Sequence, residues 1–246
     1  MRKITLHGFN NLTKSLSFSL YKLHYLHSDQ AKRKYNHYIN EHFCANNLTI
    51  LLTEVCHKIG GNLLNVAQQD YQPQGASATL MISEEAQPES VVAHLDKSHL
   101  CIHTYPEENP QNGIAIFRAD IELSTCGVIS PLKVLNYIIE EFDADIVDID
   151  YRIRGMTRNQ QGKKLYIDEG VDNISDHLSL KLIQNFVIEN YNLPKQNLFH
   201  SRLCRKESNI QNYLFSSKEL TLEESNKVKI MAKIQSELQQ LFSNYS

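Results

Sequence analysis

Between Leu95 and Glu107 the chain reads Leu-Asp-Lys-Ser-His-Leu-Cys-Ile-His-Thr-Tyr-Pro-Glu. Ser98 offers a hydroxyl nucleophile, His103 an imidazole that can take a proton, and Glu107 a carboxylate, all within ten residues. A second cluster, Glu122-Leu-Ser-Thr-Cys126-Gly-Val, adds a thiol, a group that can hold a proton and release it. Such groups do nucleophilic and acid–base chemistry when they meet. Each is bland alone: a Ser in a strand is common, His103 is one of eleven histidines, and a free Cys is most often a small core residue. A Cys–His hydrolase would use the thiol and an imidazole but leave the setting of Ser98 unexplained.

The segment around Ser98 alternates like a strand. Successive side chains then point to opposite faces, so Ser98, Leu100 and Ile102 share one face, and His99, Cys101 and His103 the other. Ser98 and His103 of one chain should therefore not meet.

The elements that must position these groups can be read from periodicity. Residues 15–26 alternate as a strand; Ser28 and Asp29 cap a helix to about Glu41; and Leu48, Leu51, Leu52, Val55 and Ile59 stripe a helix stopped by Gly60-Gly61. Strand-like runs follow at 62–70, 76–83, 99–105 and 113–122, with the acidic stretch Glu84–Ser90 ahead of the Ser98 motif. Pro131 opens a helix whose buried stripe is Leu135, Ile138, Ile139 and Phe142. A strand at 144–153, a polar hairpin through Gly162, a helix over 171–190 and a short strand at 210–216 complete the middle of the chain. Thr221-Leu-Glu-Glu224 is a capping box for a last helix with Val228, Met231, Ile234, Leu238 and Leu241 inward. Strands and helices come in blocks rather than in βαβ alternation. That pattern predicts an α+β fold, an antiparallel-rich sheet with helices on one face, in a single domain spanning 1–246.

Composition narrows the class. With 246 residues, 41% hydrophobic and 22% charged, the chain suits a soluble globular protein. A net charge of −3 with one short basic run, Lys32-Arg33-Lys34, argues against nucleic acid as a partner. No apolar run reaches signal-peptide or membrane-span length, which predicts no membrane partner. Five widely spaced cysteines without a C-x-x-C pair predict reduced thiols and a cytoplasmic setting.

The Lys-Ser-His-Leu-x-x-His-Thr-Tyr-Pro-Glu run and the Ser-Thr-Cys-Gly-Val run together resemble the self-cleavage site and catalytic Cys of the S-adenosylmethionine decarboxylase family. The longer, gamma-proteobacterial type is the nearer match, over nearly the whole chain. The resemblance implies a proenzyme cut after Lys97 into a beta chain, 1–97, and an alpha chain, 98–246. Ser98 would become a pyruvoyl cofactor that forms a Schiff base with S-adenosylmethionine, and the decarboxylated product would donate aminopropyl groups for spermidine. His103 would be the proton acceptor of self-processing and Cys126 the donor that quenches the substrate carbanion. Tyr71-Gln-Pro-Gln-Gly-Ala-Ser77 resembles the family segment in which an aromatic ring stacks on adenine and a Ser assists processing, so Tyr71 and Ser77 take those roles. Glu107 would hold the ribose hydroxyls. Smaller and eukaryotic members carry Glu where this chain has Lys97, so the role of that acid does not transfer. The longer type is described as stimulated by magnesium, yet no carboxylate cluster here obviously makes the metal site, and the metal ligands stay unknown. The family pairs two related halves. In this chain that predicts a homo-oligomer of alpha/beta pairs, up to four of each, in which Ser98 and Cys126 of one protomer face Tyr71, Ser77, His103 and Glu107 of its partner. Two alternatives stand beside this: a pyruvoyl decarboxylase for another amino acid, and a non-catalytic regulatory paralogue.

Overall fold

In a computed structural model, residues 6–83, 98–126, 129–207, 209–215 and 224–243 are described. In chain order they form β1 (Leu6–Asn10), β2 (Thr13–Tyr25), α1 (Asp29–His42), α2 (Ala45–Ile59), β3 (Asn62–Asp70), β4 (Ala76–Ser83) and β5 (Ser98–Pro106). Next come β6 (Ile114–Cys126), α3 (Leu135–Glu141), β7 (Ile146–Arg154), β8 (Thr157–Asn159), β9 (Lys164–Leu165) and α4 (Leu180–Asn185). The remaining elements are β10 (Phe186–Asn190), β11 (Leu198–Arg205) and α5 (Glu224–Ser243).

Eight strands make one sheet in the order β10-β11-β7-β2-β6-β5-β4-β3, antiparallel at every pairing. The fold is α+β. Strict alternation gives the sheet two unlike faces. Leu16, Phe18 and Leu20 of β2, Leu100 and Ile102 of β5, and Ile121 and Leu123 of β6 are buried on one face. The helix layer covers it. α1 contributes Ala31, Tyr35 and Ile39, and α2 contributes Leu48, Leu52, Val55 and Ile59. The caps are those the sequence signals: Ser28 Oγ accepts from the Ala31 N–H, and Gly60, at φ +88°, closes α2 in the left-handed conformation a side chain would resist.

The other face carries Ser15, Ser17, Ser19, His99, Cys101, His103, Asp120 and Glu122, polar residues in register across the sheet. At one end of this face α5 packs Ile230, Ile234 and Leu238 against Leu23, Ile114 and Ile146. Among the described residues no helix covers the rest of this face, where His99 and Glu122 are exposed. No described helix is long and apolar enough to cross a membrane.

Three elements differ from the sequence expectation. The helix expected over 171–190 is a 3-10 turn at Ile174–His177, then the six-residue α4, then strand β10. The Phe186-Val-Ile run suits a pleated surface, and full pairing with β11 satisfies its backbone, so tertiary pairing overrides the helical pattern. The strand expected at 210–216 is a 3-10 turn, Ile210–Tyr213, because the Asn209 side chain accepts from the Gln211 N–H and starts a turn instead. In α5, Ile234 and Leu238 are buried and Met231 and Leu241 partly buried as expected, but Val228 is exposed and Ile230 joins the core instead. Glu84–Ser90 and positions 221–223 of the expected capping box lie outside the described residues.

Candidate functional site

Ser98 opens β5 and stands in register with Ile82 of β4. It falls on the helix-covered face and is 3% exposed. Cys126, the last residue of β6, lies beside it: Ser98 Oγ and Cys126 Sγ are 3.6 Å apart, and the Cys126 N–H donates to Ser98 Oγ at 3.3 Å. Two residues 28 apart in sequence are thus in direct polar contact. Cys126 ends strand β6, and the first described helical turn after it begins at Pro131. Lys97 lies outside the described residues.

Ser77 and His103 form a second centre. They are direct cross-strand partners in the β4–β5 ladder, and Asp120 of β6 is the partner of His103 on its other side. All three project from the open face. Asp120 was not picked out from the sequence. Its Oδ2 pairs with Arg118 at 3.3 Å, while its buried Oδ1 has no hydrogen-bond partner among the described residues. Arg118 in turn covers the Tyr105 ring at 4.3 Å.

Glu107 follows β5, and its Oε2 accepts from the Ile116 N–H at 3.0 Å. Tyr71 sits in the β3–β4 turn, where its N–H bonds the Gly75 carbonyl at 2.8 Å. Gly75 has φ +101°, and a Cβ there would lie 2.9 Å from the Thr104 carbonyl. Only glycine lets this turn close against β5. The Tyr71 ring is held over Gly75 and beside Pro106, so Tyr71, Ser77, His103 and Glu107 gather at one end of the sheet.

Ser98 and His103 do not meet. Five residues of strand separate them by roughly 16 Å, and they lie on opposite faces. The expectation that one chain could not join them therefore holds.

Further residues at the Ser98 end were missed from the sequence. Lys14 of β2 is 1% exposed, yet its Nζ donates to Asp168 at 2.5 Å and to the Ile129 carbonyl at 3.3 Å. Thr125 donates to that same carbonyl at 3.2 Å. A signal existed: Lys14 interrupts the apolar row Leu12, Leu16, Phe18, Leu20, and a charge on a buried face must be paired.

Burial pushes the Cys56 thiol up to about 11, and burial followed by the Glu122 charge raises that of Cys101. Cys56 fits an inert core thiol, while Cys101 is half-buried on the open face opposite Glu122. Among the described residues no group of three or more His, Cys, Asp or Glu is placed to hold a metal ion.

The family model described as S-adenosylmethionine decarboxylase matches residues 44–155. The S-adenosylmethionine decarboxylase proenzyme of Photorhabdus laumondii is 46% identical over 98% of this chain and 97% of its own length. That of Pseudoalteromonas translucida is also 46% identical, over 98% of this chain and 94% of its own. A solved Trypanosoma brucei AdoMetDC monomer aligns over 79% of this chain and 66% of that one, at 13% identity and a TM-score of 0.42, too weak a likeness to carry argument.

Proposed function

The chain belongs to the S-adenosylmethionine decarboxylase family, and from that membership we propose that it decarboxylates S-adenosylmethionine with a pyruvoyl group made from its own Ser98. The observation that carries this reading is the contact of the Ser98 hydroxyl with the thiol and N–H of Cys126. Side chains offer no electron sink for decarboxylation; the carbonyl of a pyruvoyl group supplies one. A small group at position 98 fits the place, because the position is shielded from water.

Processing begins with the Ser98 hydroxyl, which attacks the Lys97 carbonyl and moves the acyl group from nitrogen to oxygen. Loss of the Ser98 Cα proton expels the Lys97 carboxylate, and water then replaces the nitrogen, which leaves as ammonia. His103 is the proton acceptor in this sequence and Ser77, its cross-strand neighbour, assists it. In turnover Cys126 holds its proton beside position 98 and delivers it to the substrate's Cα once CO2 has left. The Tyr71 ring takes the adenine face, favoured further by the sulfonium charge, and the carboxylate of Glu107 accepts from the ribose hydroxyls. The product is an aminopropyl donor for spermidine synthesis.

The roughly 16 Å between Ser98 and His103 supports a site shared by two copies. A two-fold partner whose open face meets this one brings its Tyr71, Ser77, His103 and Glu107 to the Ser98–Cys126 end. Half-buried Cys126 is where that face reaches the Ser98 hydroxyl. Cleavage before Ser98 leaves one domain, because β5 stays hydrogen-bonded to β4 of the small product and β6 of the large one.

Intact-mass measurement tests the reading. Purified protein should appear as chains 1–97 and 98–246, the larger with a blocked N-terminus, and Ser98→Ala should give one uncut, inactive chain of 28.3 kDa. A Ser98→Ala protein that still splits, or still releases CO2 from S-adenosylmethionine, overturns it.

A further inference from the structure

We propose that the buried Lys14–Asp168 pair is a positioning device for Cys126, acting through the Ile129 carbonyl; the inference rests on the reading of Cys126 as proton donor. The ladder between β2 and β6 ends at the Thr13–Cys126 pair, with Lys14 opposite Thr125 one step inside it. The last pair of a ladder is where a sheet opens most cheaply. A thiol carried there would wander unless something held it.

The Ile129 carbonyl is the holding point. Lys14 Nζ donates to it at 3.3 Å and Thr125 Oγ1 at 3.2 Å, so the neighbour of Cys126 and the neighbour of its cross-strand partner share one acceptor. Asp168 fixes the ammonium at 2.5 Å, and both side chains are shut from water, at 1% and 9% exposed. An apolar residue would fill position 14, among Leu12, Leu16 and Phe18, with less desolvation. It could not hold the carbonyl. Placement of a reacting group to within about 1 Å governs rate by factors near 10², and a donor that drifts also loses its choice of target. A proton delivered to the carbon of residue 98 instead of the substrate's Cα is a transamination. Water then releases the substrate's carbon as an aldehyde, and its nitrogen stays behind, so that residue 98 becomes alanine.

Two variants separate positioning from folding. Thr125→Val removes one donor in the same volume. Lys14→Met with Asp168→Leu removes the pair together, since Lys14→Met alone strands a buried carboxylate and would unfold the chain. In the uncut Ser98→Ala chain, iodoacetamide should alkylate Cys126 faster in both variants, on the order of tenfold. A variant of equal Tm made far away, Leu238→Ala in α5, should leave that rate unchanged. In the self-cut enzyme, turnovers per inactivation, read as alanine at residue 98 by mass, should fall on the order of tenfold. This ratio is independent of how much protein is folded. If Cys126→Ala lowers it while neither variant does, and alkylation is unchanged, the anchoring proposal is overturned and the role of Cys126 stands. If Cys126→Ala itself leaves the ratio untouched, the reading of Cys126 falls and the proposal falls with it.

Discussion

The two ends of strand β5 hold chemistry of opposite kinds. At its start Ser98 is buried, touches Cys126, and lies near an ion pair closed off from water. Near its finish His103 stands on an open polar face between Ser77 and Asp120, with Glu107 and the Tyr71 turn beside it. The first end suits a nucleophile and a proton held in a dry place; the second suits groups that must meet a polar, charged substrate. The difference teaches that alternation along one strand can divide a site as effectively as distance does. On the proposed reading, a single chain then carries two half-sites that a second copy joins.

The sharpest way to break the comparison is at the dry end. Cys126→Ala should retain self-cleavage, seen as two chains on a gel, while the rate of CO2 release falls by roughly 10²–10⁴, the usual contribution of a general acid. Near-normal turnover would make Cys126 a packing residue and the contact with Ser98 incidental.

The next test sets the ends against each other. Ser98→Ala and His103→Ala should each block cleavage alone. Co-expressed, they should form mixed dimers with one intact shared site, in which Ser98 comes from one copy and His103 from the other. With random pairing, about half of the His103→Ala chains should then be cut. An absence of cut chains on mixing would return the site to a single protomer, and a hydrogen bond between Ser98 and His103 within one chain would have to be found to explain processing.

How much of this was legible in the sequence follows the same division. Strand β2 and the strands around Ser98 and Cys126 were legible because their alternation is strict and their burial one-sided. Ser77, His103 and Cys126 stood out by motif, but not their contacts. That Ser77 pairs with His103 depends on the β4–β5 register across a long connection. Lys14 and Asp168 meet across 154 residues, so only the odd lysine in an apolar row could hint at the pair. β10 was missed because a five-residue strand at the sheet edge is too short to show a period and Leu180–Asn185 just before it is helical. β11, interior between β10 and β7, was missed because Ser201, Arg202 and Arg205 break its apolar pattern. Pro131 was legible as a helix start, but the reach of β6 to Cys126 was not.

The smallest effect concerns stability beneath the open-face end. His24 of β2 is 4% exposed, packed against the Tyr35 and Phe215 rings at centroid distances of 5.3 and 4.9 Å, and its Nε2 has no hydrogen-bond partner among the described residues. Burial, and then the nearby Lys22 charge, push its imidazole down to about 3. Unfolded, the same ring titrates near 6.5. Above that pH neither state binds the proton and the fold keeps its full stability from this site. Below it the unfolded chain takes up a proton that the folded chain refuses until about pH 3, so stability drains away across that window. The slope from this one group approaches about 1.4 kcal/mol per pH unit. Tyr35 and Tyr38 face the ring, and burial pushes both hydroxyls up, so neither changes charge between pH 6 and 4. His24→Phe keeps an aromatic ring in the aromatic cluster and removes the proton site. The two proteins should show parallel Tm curves above pH 7 and diverge below 6.5, the variant losing less per unit of acid. Identical slopes from pH 6 to 4 would mean that acid enters the fold elsewhere, with the carboxylates of the ion-paired end the next place to look.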